Sequence, residues 1–202
     1  MIFLILLMIV CSFAAEKWFL VLYESVRLSV VNSIKDTENK NKSKKHGFWV
    51  AIASILPSVI LFHFSGSIWV FIAFFLFGCV AYTDFIVHWV PDCLIYAALS
   101  VSLLNPDIKL NNELWLSVFL FLLPVVILQA VSYVRKRFLC ISSGDFYMFP
   151  AMAVWVLPEY AAPVMLTAIG VAILFSRKTN KVPFMTCLFF VFSGYQLCAF
   201  YS

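Results

Sequence analysis

Long apolar stretches separated by short polar breaks run through the chain, and in order they predict a series of membrane-crossing helices. Several windows approach the roughly 20 apolar residues a helix needs to cross a hydrocarbon core. The first stretch covers residues 2–23. Ser12-Phe13-Ala14-Ala15 looks like a signal-peptidase site, but no basic segment precedes it and apolar character resumes at Trp18-Phe19-Leu20-Val21-Leu22. A retained first span is therefore expected. Residues 24–46 form the long hydrophilic segment. Further spans are predicted over 48–64, 68–82, 90–104, 114–134, 146–157, 160–175 and 182–200, with turns at Ser65-Gly66-Ser67, at the Asn-rich stretch 105–113 and at Pro158-Glu159. The expected fold is all-α, a polytopic membrane bundle of about eight helices, with residues 1–202 as a single domain.

Composition agrees with that pattern. Apolar residues make up 64% of the chain and charged residues 12%, which leaves too few polar side chains to clothe a water-soluble core. The charge is unevenly placed: every Lys and Arg except Lys17 and Lys109 falls in 24–46, 135–137 or 177–181. By the positive-inside rule those three segments are cytoplasmic. The Asn/Lys/Ser run of 24–46 reads as a solvated basic loop, with attraction to anionic membrane lipid as the second reading. Glu16 and Lys17 are accommodated by pairing or snorkelling at the inner end of the first span. Cys11, Cys79, Cys93, Cys140, Cys187 and Cys198 form no Cys-x-x-Cys pair and have no accompanying His cluster. They predict small packing residues rather than zinc ligands or disulfides, and no metal or cofactor is expected.

Two aspartates organise the candidate chemistry. Asp84 lies in Tyr82-Thr83-Asp84-Phe85-Ile86-Val87-His88-Trp89-Val90-Pro91-Asp92, and Asp145 in Ser142-Ser143-Gly144-Asp145-Phe146-Tyr147-Met148. Two predicted spans separate them, and an even number of crossings returns a chain to the side it left. The pair is therefore expected at one membrane face. An Asp at the centre of a bilayer helix costs about 2.5–3.5 kcal/mol, less near the interface, so such residues usually have a role. Two carboxyls in a poorly solvated place do not both ionise cheaply. The ionised member can take a proton from water while the protonated one hydrogen-bonds a scissile carbonyl, which is peptide hydrolysis without a covalent intermediate. No Gly-x-Ser-x-Gly elbow, His-Glu-x-x-His helix, phosphate loop or nucleotide-binding glycine fingerprint competes, and no nucleic-acid partner is expected.

A structural reading stands beside the catalytic one. Asp84 would then terminate an inward span and Asp145 would cap the helix starting at Phe146. Gly144 either permits unusual dihedrals and close approach of a substrate strand or is an ordinary loop glycine. Pro91 suits the first turn of the outgoing helix. Asp92 is a third acid or, more simply, a first-turn partner of the helix dipole. His88 either tunes Asp84 or is a loop histidine, and Tyr82, Trp89 and Tyr147 read as interfacial aromatics.

At these residues the chain resembles the type IV prepilin peptidases, aspartic membrane proteases of the Gly-x-Gly-Asp class. Members carry an aspartate followed seven positions later by proline and a polar residue, here Asp84 and Pro91-Asp92. A second aspartate sits in a Gly-x-Gly-Asp turn, here Ser142-Ser143-Gly144-Asp145, and many have a late Pro-Phe-Gly-Pro-like motif, here Val182-Pro183-Phe184-Met185. Ser142 replaces the first glycine of the turn, Tyr147 stands where the family has a lysine, and Met185 replaces the glycine after Pro-Phe. Larger members insert a cytoplasmic domain with paired Cys-x-x-Cys motifs, linked to N-methylation, where this chain has 24–46 without cysteine.

The resemblance covers most of the chain from residue 48 onward and implies a short-form peptidase without the zinc-bearing insert. Its catalytic pair would be Asp84 and Asp145, supported by Gly144, Pro91, Asp92 and Pro183. The implied partner is a pilin-like precursor with a basic leader and an apolar helix, cleaved at the cytoplasmic face of a bacterial inner membrane. Presenilin-like and preflagellin peptidases share the Gly-x-Gly-Asp turn; the Asp84 to Pro91-Asp92 spacing favours the prepilin branch. The alternatives are an inactive peptidase homologue and a proton-coupled membrane transporter.

Overall fold

A computed structural model of the chain describes residues 9, 10, 13, 17, 47–88, 90–106, 108, 111–134, 143–176 and 182–201. Ile9, Val10, Phe13 and Lys17 are helical, with the Lys17 ammonium 5.2 Å from the centre of the Phe13 ring. The rest of the expected first span and basic segment 24–46 lies outside the described residues. From Gly47 onward the described residues form seven helices: α1 (Gly47–Ser65), α2 (Ile68–Val87), α3 (Asp92–Leu104), α4 (Asn112–Val134), α5 (Ser143–Ala153), α6 (Pro158–Ser176) and α7 (Phe184–Tyr201). Each coincides with one predicted stretch. The helices α1, α2, α4 and α6 are long and apolar enough to cross a membrane.

Apolar residues fill both the interior and the surface. Phe74, Phe121, Phe149 and Phe192 are buried, yet Trp49, Trp115, Phe119, Leu166 and Leu174 are exposed, and Ser102, Ser117, Thr186 and Gln196 are buried with hydrogen-bond partners. Apolar side chains suit a hydrocarbon surrounding, and these polar groups are held by partners inside the bundle. Helix contacts close a ring, α2–α3–α5–α4–α6–α7 and back to α2, with α1 packed outside against α2 and α7. The most enclosed of the four long helices is α2, with 61% of its apolar window buried against 17% in α4.

Local chemistry sets the helix ends. The α1–α2 hairpin turns through Gly66, whose φ of 64° suits a residue without a Cβ, and Ser65 Oγ accepts the Ser67 N–H at 3.2 Å. Asn111 Oδ1 accepts the Leu114 N–H at 3.0 Å and so caps α4. Where α5 unwinds before α6, the backbone groups find partners within the bundle. The Ser117 hydroxyl lies 2.9 Å from the Ala153 carbonyl and 2.6 Å from that of Val156, Tyr195 OH accepts the Leu157 N–H at 3.2 Å, and Gln196 Nε2 donates to the Trp155 carbonyl.

Trp155 also fixes register. Its indole N–H donates to Ser102 Oγ at 2.9 Å, and its ring meets Phe74 edge-on at 6.1 Å. Phe74 in turn stacks on Phe192 with ring centres 5.0 Å apart. This layer therefore ties α2, α3 and α7 to the segment that follows α5. The two short helices, α3 with 13 residues and α5 with 11, rise only about 20 Å and about 16 Å at 1.5 Å per residue. Neither crosses a hydrocarbon core about 30 Å thick by itself.

Gly78 is where α1 and α2 approach most closely: a Cβ there would collide with the Ser54 backbone carbonyl, whereas one at Gly194 would meet nothing within 4 Å. Small residues at such crossings let helix backbones come together. Gly78→Ala should therefore destabilise the protein by about 1–3 kcal/mol, while Gly194→Ala should leave stability unchanged or slightly raised. Thermal unfolding in detergent compares the two, and equal midpoints would contradict the assigned crossing.

Candidate active site

Asp84 is placed by two helices. The α2 helix continues past the expected end at residue 82 and runs to Val87, so Asp84 sits in its last turn, and it is 5% exposed. The backbone carbonyl of Asp84 accepts the His88 N–H at 2.9 Å, and His88, at φ 55°, ends the helix in the left-handed region. That conformation is uncommon outside glycine, although histidine is enriched among the exceptions. Hydropathy cannot see this continuation, because a helix is propagated by backbone hydrogen bonds and tolerates a polar residue whose partner lies on a neighbouring helix.

The partner is Thr186, in the first turn of α7. Its backbone N–H donates to Asp84 Oδ2 at 3.0 Å. Its hydroxyl lies 2.8 Å from the Ala81 carbonyl and 3.3 Å from the same carboxylate oxygen, bridging α7 to α2. Amide N–H groups in a first helical turn lack intrahelical acceptors and carry the positive end of the helix dipole, so a carboxylate placed there is well received. Pro183, buried just before α7, contributes its carbonyl, which accepts the Cys187 N–H at 3.2 Å.

Asp145 is the third residue of α5 and is 7% exposed. The helix starts at Ser143, three residues before the expected Phe146, so Gly144 and Asp145 occupy a first helical turn. Gly144 is helical rather than an unusual turn, and Asp145 lies inside the helix rather than at its cap. One turn on, the Phe149 ring meets that of Phe184, the first residue of α7, at 5.9 Å. Asp84 is thus bound to the start of α7 through Thr186, and Asp145 lies one turn before a residue whose ring meets the start of α7.

Chain direction places the acidic ends together: α2 ends near Asp84, and α3 and α5 begin near Asp92 and Asp145. Asp92 is exposed, in the first turn of α3, as a dipole partner should be. Pro91 is buried and precedes the first helical residue rather than lying within the first turn, its carbonyl accepting the Leu94 N–H at 3.0 Å.

Other expectations divide. Tyr82 is buried rather than interfacial, Tyr147 is exposed, and Trp89 and Ser142 lie outside the described residues. Thr186 escaped sequence analysis although it directly follows Pro183-Phe184-Met185; a threonine opening a long apolar stretch was its only signal. Among the described residues no three His, Cys, Asp or Glu side chains gather as a metal site. The arrangement holds one buried carboxyl, Asp84, against the first turn of α7 and a second, Asp145, in the first turn of α5, both positions where helix N-termini favour negative charge. Comparison with protein-family models, curated proteins and solved structures gives no match.

Thr186→Val removes the bridging hydroxyl and keeps the amide. It should cost about 1 kcal/mol of stability, the usual worth of such a bond, and Thr186→Ser should restore most of it. Chemical unfolding of both variants measures this, and a valine variant as stable as the native protein would contradict the bridge.

Proposed function

We propose that this chain is an aspartic endopeptidase of the membrane, of the short prepilin-peptidase type, which removes the basic leader of pilin-like precursors. The observation that carries the reading is the placement of Asp84 and Asp145: both are buried, Asp84 in the last turn of α2 against the start of α7, and Asp145 in the first turn of α5, one turn before the ring contact with Phe184. Support for the orientation comes from where the basic segments attach. Segments 24–46, 135–137 and 177–181 adjoin the start of α1 and the ends of α4 and α6, the same end of the bundle as the two acids. By the positive-inside rule that end faces the cytoplasm of a bacterial inner membrane. In this reading residues 2–23 supply a further span, which with the seven helices makes a multi-pass protein of about eight.

The chemistry needs no covalent intermediate. One carboxylate accepts a proton from a bound water as the water oxygen attacks the scissile carbonyl carbon, and the protonated carboxyl hydrogen-bonds the carbonyl oxygen. The tetrahedral species then breaks its C–N bond, the amine leaves with a proton from the acid, and the pair regains its shared proton. Thr186 holds Asp84 in place throughout. Gly144 lies beside Asp145 in the first turn of α5, Pro91 precedes α3 after the Asp84 segment, and Pro183 precedes the helix that receives Asp84.

Asp84→Asn and Asp145→Asn should each lower leader removal by about 10²- to 10⁴-fold, the usual worth of a general acid or base, while the protein still inserts. Co-expression with a pilin-like precursor encoded near the gene, read by gel shift and amino-terminal sequencing, tests this. Near-native cleavage by either variant would refute the pair. Failure of the unmodified protein to cleave such precursors would favour an inactive homologue or a transporter.

A further inference from the structure

Helices α3 and α5 are neighbours in the ring, and together they make its short side. The outward face of α3 shows how short. Tyr96, Leu103 and Leu104 are 68%, 48% and 69% exposed, and charge bounds this apolar face at both ends. Asp92 is exposed in the first turn, and Asp107 and Lys109 follow within five residues of Leu104. Residues 93–104 therefore offer about 18 Å of apolar helix, and any tilt shortens that span across the bilayer. A typical hydrocarbon core is about 30 Å thick. With 20 and 23 residues, α2 and α4 reach about 30 Å and about 34 Å.

The contacts of Trp155 locate the shortfall. Trp155 already lies beyond the end of α5, and α3 runs only two residues past its partner Ser102. By contrast, α2 reaches six residues past Phe74, to Ile68, and α7 five past Gln196, to Tyr201. The side formed by α3 and α5 is thus cut back at the end of the bundle that carries the α1–α2 hairpin. A flat bilayer matched to the long helices would draw the charged residues at one end of α3 into hydrocarbon, where they are costly. A bilayer meets a short apolar surface by thinning, at a modest cost per ångström.

We infer that the bilayer is locally thinned against α3 and α5 at the hairpin end. Lipid of shortened span covers this side of the bundle, and lipid of ordinary span covers α1, α4 and α6, whose apolar windows are only 39%, 17% and 33% buried. Two helices too short to cross a typical core thereby take their place in a membrane bundle. The inference does not depend on peptide hydrolysis.

The test uses the full chain with its six cysteines replaced, reconstituted in dioleoylphosphatidylcholine vesicles. Single nitroxide labels are attached through Ser100→Cys, Leu104→Cys or Ile72→Cys, all at exposed positions. Ser100 and Leu104 lie one turn apart on the same face of α3, and Ile72 lies two residues past Phe74 on α2, as Leu104 does past Ser102. Collision with dissolved oxygen reports hydrocarbon, and collision with a nickel chelate held on both sides of the membrane reports water. Thinning predicts water at 104 but hydrocarbon at 100 and 72. Hydrocarbon at 104 would show the end of α3 submerged and overturn the inference. Water at both 104 and 100 would show a water-filled recess in place of thinned lipid, and water at 72 would show the whole bundle cut off at one level; either result would also overturn it.

Discussion

A carboxylate enclosed by apolar helices must be met by donors, and Thr186 meets Asp84 with a backbone amide and a hydroxyl. Much of the surrounding architecture follows from that requirement. The amide is available because it belongs to the first turn of α7, where helix geometry leaves N–H groups without intrahelical acceptors. The hydroxyl also reaches Ala81 on α2, so the contact locks two central helices in both rotation and depth. Unpairing the acid would leave a buried polar group without compensation, and α2, which carries it, is enclosed by α1, α3 and α7.

The opposite layer of the bundle completes the constraint. Trp155, in the segment that follows α5, hydrogen-bonds Ser102 of α3 and, through its carbonyl, Gln196 of α7, while its ring meets Phe74 of α2. These contacts hold the far ends of α2, α3 and α7 together as Thr186 holds the near ends of α2 and α7. The ring of helices leaves α1 to one side.

Sequence reading recovered the order of the helical stretches and the two acids because hydropathy and crossing parity are coarse, additive signals. It misplaced the ends nearest the chemistry. Asp84 resembled an interruption after residue 82, yet the helix continues to Val87 because the acid has a partner on α7. The Gly144-Asp145 pair read as a turn, yet it belongs to the first turn of α5. The stretches expected at 90–104 and 146–157 were already short, but the end of α5 was set too late, since the residues that follow Ala153 are themselves apolar although they are not helical. Thr186 was invisible for a simpler reason: one hydroxyl does not alter the hydropathy of a long window, and its importance comes from a residue 102 positions away.

The central claim is that Asp84 and Asp145 form one site. The most direct measurement is chemical bridging in membranes. All six cysteines are first replaced, and pairs of cysteines are then introduced at 84 and 145, at 84 and 186 as a positive control, and at 84 and 113 as a negative one. A short bifunctional thiol reagent should link 84 to 145 as readily as 84 to 186, and should fail with 84 and 113, because Glu113 begins α4 at the opposite end. Bridging of 84 to 186 without bridging of 84 to 145 would show two separate acids and contradict the account.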